Sequence, residues 1–393
     1  MAHTNYEIPS ETPGLSAHAA EVLRQKCLLP PKMLTLAITS TCNLTCSHCW
    51  VEAAPSASAV HAPEMALRRL IEEFAALGGE GVRFTGGEPL CHPAWLGLMK
   101  FARSVGLPKV ALQTNAMLIT DEQVSALGEI DFPGLSLEIS LDGAMAETHD
   151  LVRGKGAFKG VVSGIQRLLK GRLAPRITIA FTEMRHNLDD IPAVLELADA
   201  WQVKAVVTGA LVQCGRADQG SLVSPPDSQQ YQHLQDQYDT STRFRELYQK
   251  MGAIAFLEWR RYPTPRTECC TFIENPYLTP DGRLYPCLLC HTKDFSVSGV
   301  FENNLAAVIL EGAPLWAALK QISRRRAMDI PECRVCPERV VCAGGCMGRA
   351  WGSQGDLMAT DDRCAVRRAL RHASAAAPLP RKDAKDAKND KKI

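Results

Sequence analysis

Six short β-rich runs, with helical spacing in the stretches between them, constrain this chain more than any other feature of its sequence. They are MLTLAITS (33–40), GVRFTGGEP (81–89), KVALQTNA (109–116), LSLEISLDG (135–143), RITIAFTEM (176–184) and KAVVTGALV (204–212). Between the first two, Leu67, Leu70, Ile71, Phe74 and Leu77 follow helical spacing, and Gly78-Gly79 supplies a stop. Before the sixth, Ile191, Val194, Leu195, Ala198 and Trp201 do the same, with Asn187 placed to cap the helix. Alternating strands and helices predict parallel βα units. Six units cannot close the usual eight-stranded barrel. The expected fold is therefore α/β, a partial (β/α)6 TIM-like barrel over 33–217 with its chemistry at the C-terminal ends of the strands. In the fourth run Leu135, Leu137, Ile139 and Leu141 share one face, suited to packing on helices. Ser136, Glu138, Ser140 and Asp142 share the other, suited to a polar ligand in the lumen.

The rest of the chain is organised differently. Residues 1–32 form a polar N-terminal arm with no clear period, and 218–265 a Gln-rich bridging region. Over 266–364 periodicity yields to cysteine, proline and glycine, as expected of a small cysteine-rich domain held by metal rather than by an apolar core. The tail, 365–393, ends in a low-complexity run that is expected to be disordered. Lys and Arg number 44 against 43 Asp and Glu, so no global field favours nucleic acid or an acidic membrane. No uninterrupted run of about 18 apolar residues occurs, and the first residues lack a signal peptide's basic and apolar regions. A cytoplasmic protein is expected, and in a reducing compartment its 15 cysteines point to metal rather than disulfides.

Directly after the first strand, Cys42, Cys46 and Cys49 form a C-x3-C-x2-C loop. Three thiolates on one short loop can each take one iron of a 4Fe-4S cubane and leave the fourth iron open to a substrate or cofactor. Zinc is the alternative, with His48 as the fourth ligand.

With this loop, three further segments make the chain resemble the radical S-adenosylmethionine (SAM) superfamily, in which the open iron chelates SAM. Gly86-Gly87-Glu88-Pro89 ends the second strand as the family's GGEP segment does. The resemblance implies that its backbone and Glu88 take the methionyl amino group. Ser140-Leu141-Asp142-Gly143, with His149-Asp150 and Arg153-Gly154, resembles the fourth-strand region in which Ser140 and Arg153 would contact SAM. His48 holds the position before the third cysteine that lies near adenine in the family. Gln213-Cys214-Gly215-Arg216-Ala217 resembles a common exit segment of the sixth strand. The implied chemistry is reductive cleavage of SAM to methionine and a 5′-deoxyadenosyl radical that abstracts hydrogen from a substrate.

The C-terminal cysteines resemble the SPASM extension of many radical SAM maturases, which holds two auxiliary iron-sulfur clusters. By that resemblance Cys333, Cys336, Cys342 and Cys364 bind one cluster, while Cys270, Cys287 and Cys346 contribute to the other. Cys269, directly adjacent to Cys270, departs from the usual spacing of a further ligand, and Cys290 is an alternative. The implied function is oxidation or crosslinking of side chains in a peptide or protein, with a flavodoxin or ferredoxin as reductant. The arm before Met33 is shorter than a leader-binding domain, so a separate leader-binding protein is a further expected partner. The alternative is side-chain modification of a tetrapyrrole. A non-catalytic electron carrier or zinc scaffold is the alternative from another class.

Overall fold

The computed structural model describes residues 13–56, 58–219, 223–261, 265–268 and 273–373. The six expected strands form β1 (Met33–Ala37), β2 (Gly81–Thr85), β3 (Lys109–Thr114), β4 (Leu135–Ser140), β5 (Ile177–Glu183) and β6 (Ala205–Ala210). All are parallel and lie side by side in chain order. Leu36, Phe84, Leu112, Leu137 and Ile177 fall in register across the first five strands and are buried, an apolar row facing the surrounding helices. The opposite face is polar. Arg83 reaches across it to Glu138 at 3.0 Å, and the Thr85 hydroxyl donates to Gln113 Oε1 at 3.3 Å. Part of the polar face read for a ligand is thus satisfied by its own side chains.

The barrel is open, and its sheet extends beyond six strands. β7 (Gly252–Ala253) pairs with β6, while β8 (Tyr277–Leu278) pairs with β1 in parallel and carries antiparallel β9 (Leu284–Tyr285). The cysteine-rich region therefore begins as an edge of the barrel sheet itself, next to the strand that launches the first cysteine loop. A two-residue strand has no periodicity to read, so neither edge was visible in the sequence.

The segment read as an aperiodic arm holds helix α1 (Pro13–Gln25). The barrel connections carry α2 (Glu64–Ala76), α3 (Trp95–Ser104), α4 (Asp121–Glu129), α5 (Ala146–Arg153), α6 (Ala157–Lys170) and α7 (Ile191–Ala200). Leu67, Leu70, Ile71 and Phe74 are buried on α2, as are Ile191, Val194, Leu195 and Ala198 on α7, as their spacing predicts. Asn187 is not the side-chain cap expected for α7: a 3-10 turn, Leu188–Asp190, intervenes and frees its amide for another task. After β6 come α8 (Arg216–Gln219), α9 (Ser228–Thr240), α10 (Thr242–Met251) and α11 (Ala255–Arg261).

Helix α12 (Leu305–Asp329) is long and apolar enough to cross a membrane by composition, but half of its most apolar window is buried inside the protein. It packs on α1 and α2. Glu73 of α2 accepts a hydrogen bond from Leu305 N at 2.6 Å, setting a carboxylate at the positive end of α12, and the buried Lys320 donates to Cys27 O at 2.8 Å. Four short helices follow: α13 (Pro331–Arg334), α14 (Arg339–Cys342), α15 (Met347–Gln354) and α16 (Cys364–Ala373). The tail expected to end in disorder lies, from 374 on, outside the described residues.

Candidate active site

The chain leaves β1 into a loop whose ends are tied together. Cys42 N donates to Ala54 O at 3.2 Å and Cys49 N to Cys46 O at 3.3 Å, while Ser47 N anchors the loop to Val152 O of α5 at 2.8 Å. The exit segment of β6 seals it from the other side. Arg216 donates from Nε to Cys46 O at 2.8 Å and from Nη2 to Ala53 O at 2.6 Å. Gly215, at φ 59°, lies so close that a Cβ would stand 2.6 Å from Trp50 O. The resemblance at residues 213–217 thus has a local purpose, to hold the cysteine loop in one shape.

Cys42 and Cys46 are buried and Cys49 is half-buried. Burial, together with Glu88 and the neighbouring thiols, pushes Cys42 up to about 12. Burial also raises Cys46, while Arg153 and Arg216 pull it back. Three thiols that feel one another's charge in a buried loop ionise readily only on a cation, and three on one loop leave a cubane's fourth iron without a protein ligand. The donor set fits a 4Fe-4S cluster. The zinc alternative needs His48 as a fourth ligand, but its Nε2 faces Asp142 at 3.4 Å.

The GGE segment lies directly against this loop. Gly87 N donates to Thr39 O and Glu88 N to Thr41 O, both at 2.8 Å. A Cβ on Gly86 would stand 2.4 Å from Thr39 O, and on Gly87 2.1 Å from Thr41 O, so both positions need glycine for the approach of backbone to backbone. Glu88 is buried and accepts from Thr114 Oγ1 at 2.5 Å, Asn115 N at 2.8 Å and Leu90 N at 3.1 Å. Asn115 in turn donates to Asn43 at 2.8 Å, so the carboxylate also braces β3 against the cysteine loop.

Sequence reasoning placed Asp142 on the lumen face without giving it a role. The structure makes it the pivot between the loop and β4. Burial would raise its carboxyl, but the Arg153 guanidinium, His48 and the Thr182 N–H hold it down at about 2. Arg153 Nε donates to its Oδ2 at 2.6 Å and Thr182 N to its Oδ1 at 2.7 Å. Arg153, expected to fork onto SAM, is therefore first paired with Asp142. The His149 ring accepts from Asp142 N at 3.0 Å. Asn187 completes the knot, donating to Asp142 O at 3.0 Å and Thr182 O at 2.9 Å and accepting from Met184 N at 2.8 Å. Ser140 ends β4 beside this knot, half-buried.

Cys333, Cys336, Cys342 and Cys364 line one small cavity together with Trp259 and Arg367. Burial and the three other thiols push Cys333 up to about 11 against the pull of Arg326. Cys346 follows the turn after Cys342, and its neighbour Gly348 would bring a Cβ to 2.5 Å from Leu289 O, which sets it beside the Cys287–Cys290 segment. Cys287 Sγ accepts from Cys290 N at 3.3 Å. Cys269 and Cys270 lie outside the described residues. One contact missed in the sequence ties the two cysteine regions together: Trp50, next to Cys49, packs against Tyr277 and His291 with ring centroids 5.6 Å and 5.3 Å away.

Between the regions lies a cavity of about 380 Å³, lined by Trp50 and Glu52 from the loop, Gln213 and Cys214 from the β6 exit, and His291 and Trp351 from the cysteine-rich part among others. Arg349 is the one Lys or Arg in its described lining. Asp362 grips it in a fork at 2.8 Å and 2.6 Å, and its Nη2 also donates to Leu211 O.

Residues 36–198 match the model of the Radical SAM superfamily. An AdoMet-dependent heme synthase of Methanosarcina barkeri is 28% identical over 355 residues, covering 86% of this chain and 97% of that protein. PqqA peptide cyclase of Rhizobium meliloti is 27% identical over 376 residues, covering 92% and 93%. Among solved structures, Streptococcus suis SuiB bound to its precursor peptide SuiA shares the fold with a TM-score of 0.68 at 14% identity, covering 93% of this chain and 84% of that one.

Proposed function

Because this chain is a radical SAM enzyme, we propose that it oxidises or crosslinks side chains of a peptide or protein bound in the cavity between its two cysteine regions. Cys42, Cys46 and Cys49 hold the 4Fe-4S cluster, which with SAM supplies the radical that abstracts hydrogen from the substrate. The loop and the exit segment at 213–217 fix that cluster, and Gly86, Gly87, Glu88, Ser140, Arg153 and His48 line the SAM side. The polypeptide otherwise orients the substrate and excludes water. In the same reading 266–364 is the SPASM domain, with auxiliary clusters at Cys333, Cys336, Cys342 and Cys364 and at Cys270, Cys287 and Cys346, the latter with Cys269 or Cys290. A one-electron carrier such as a flavodoxin or ferredoxin reduces the enzyme, which works in the cytoplasm.

The cavity's charge carries the choice of substrate. A tetrapyrrole with several carboxylates needs unpaired Arg or Lys, whereas the one guanidinium among the described lining residues is neutralised by Asp362. The volume, about 380 Å³, lies at the small end of the range for ligand sites and suits a few side chains better than a flat macrocycle. Tetrapyrrole modification remains the second reading, favoured by the heme synthase relative that matches along nearly its whole length.

The test is anaerobic. Reconstituted enzyme receives dithionite, SAM and either peptides encoded beside its gene or an iron porphyrin bearing propionates. A peptide that raises 5′-deoxyadenosine above the substrate-free level and loses a pair of hydrogens in mass supports the first reading. Stimulation by the porphyrin alone replaces it with the second.

A further inference from the structure

We propose that Arg326 and Arg367 are positioned to face an anionic iron-sulfur cluster held by Cys333, Cys336, Cys342 and Cys364, giving it N–H donors and positive charge that raise its reduction potential. The inference rests on the auxiliary-cluster assignment above. Arg326 lies within α12 and has no exposed surface. Its Nη2 donates to Gly344 O at 2.7 Å and Ala359 O at 2.9 Å, yet Nε and Nη1 are buried without a hydrogen-bond partner among the described residues. No described carboxylate lies within ion-pair distance of it. Arg367, on α16, gives Nη2 to the buried Asp361, and its Nε is likewise buried without a partner.

A guanidinium cannot escape burial by losing its proton, so an unbalanced one is strongly disfavoured. Arg326 has no balancing anion among the described residues, and Arg367, although paired with Asp361, adds a further open donor at the same place. The four thiols are the groups at hand: Arg367 lines their cavity, and Arg326 bonds to Gly344, which lines it too. As neutral thiols they would leave Arg326 without a counter-charge among the described residues. A cubane bearing four thiolates is dianionic when oxidised and gains a further negative charge on reduction, and its sulfurs accept hydrogen bonds.

The turn between Cys342 and Cys346 seats both arginines. Ala343, Gly344 and Gly345 all have positive φ, at 52°, 82° and 77°. A Cβ on Gly344 would stand 2.7 Å from Arg326 Cβ, and one on Gly345 2.6 Å from Asp361 Oδ2 and 2.9 Å from Arg367 Nη2. Gly344 thus lies against Arg326 and Gly345 against Arg367, and Asp361, which also accepts from Cys346 N at 2.8 Å, fixes the second guanidinium. The sulfurs and the cations are held by one piece of backbone.

The test uses the full chain carrying Cys42→Ala, Cys46→Ala and Cys49→Ala, so that the remaining iron signals are auxiliary. After anaerobic reconstitution, iron and sulfide are counted and midpoint potentials are read by EPR during titration with dithionite. Arg326→Met and Arg367→Gln each move the midpoint of one cluster to a more negative value, and Arg326→Lys, which keeps the charge, moves it less. Should Arg326→Met fail to fold or to load iron, Arg367→Gln decides. Full iron content with an unmoved midpoint in Arg367→Gln, or in both variants, overturns the inference. Adding Cys342→Ala to the same background separates the two ideas: if iron does not fall, the cavity holds no cluster and the assignment itself has failed. If iron falls while the arginine variants leave the midpoint in place, only the role of the arginines is refuted.

Discussion

Asp142→Asn isolates the knot that joins the cysteine loop to β4. The carboxylate is fully buried and Arg153 is 11% exposed at the side chain, so the substitution leaves a guanidinium in the interior with no anion at 2.6 Å. Breaking one side of a buried pair costs about 3–5 kcal/mol, and because Asn can still accept from Thr182 N the lower end applies. At about 1.4 kcal/mol per factor of ten, 3 kcal/mol corresponds to opening that is roughly 100-fold more frequent. Hydrogen–deuterium exchange of the peptide spanning Thr182 and Asn187 reads this directly, since both residues bond to Asp142. The double variant Asp142→Asn with Arg153→Met removes both charges and should exchange more slowly than Asp142→Asn alone, because the cost arises from the orphaned cation. Exchange within a factor of three of the parent in the single variant, or a double variant worse than the single, would refute the reasoning.

Three further outcomes follow from the geometry. Gly87→Ala drives a methyl to 2.1 Å from Thr41 O, so the loop must shift, and iron bound by the first loop should fall sharply while the C-terminal iron is retained; unchanged iron counts contradict it. Asn187→Ala strands the buried Met184 N–H and unbinds two carbonyls, at about 1–3 kcal/mol for each buried group left unsatisfied, which a urea midpoint shift would register. Cys342→Ala should lower iron content and block product while SAM cleavage without substrate turnover persists; full product formation would remove the C-terminal cysteines from the chemistry.

The barrel was legible because its signals are local. Each of the first six strands is a short β-rich run in its own right, and the residues spaced helically on α2 and α7 are the buried ones. The cysteine loop and GGE segment were legible for the same reason, being short and contiguous. What escaped depends on partners far apart in the chain. β8 is two residues long and exists because β1 offers an edge some 240 residues earlier in the sequence. Helix α1 has its partner in α12, so the arm reads as aperiodic until that helix is in place. Asp142 looks like one more polar lumen residue until His48, Arg153 and Thr182 converge on it, and Asn187 looks like a helix cap until its amide is seen bonding β4 to β5. Arg326 sits in a run of three arginines, and no local signal in that run singles it out as the buried one.

The decisive measurement compares the wild-type chain with Cys46→Ala, both reconstituted under nitrogen and given dithionite and SAM. The wild type should yield 5′-deoxyadenosine and methionine, and Cys46→Ala neither, with its C-terminal iron intact. Cleavage that survives in Cys46→Ala, or a fully iron-loaded wild type that never cleaves SAM, would contradict a SAM-binding cluster on the loop after β1.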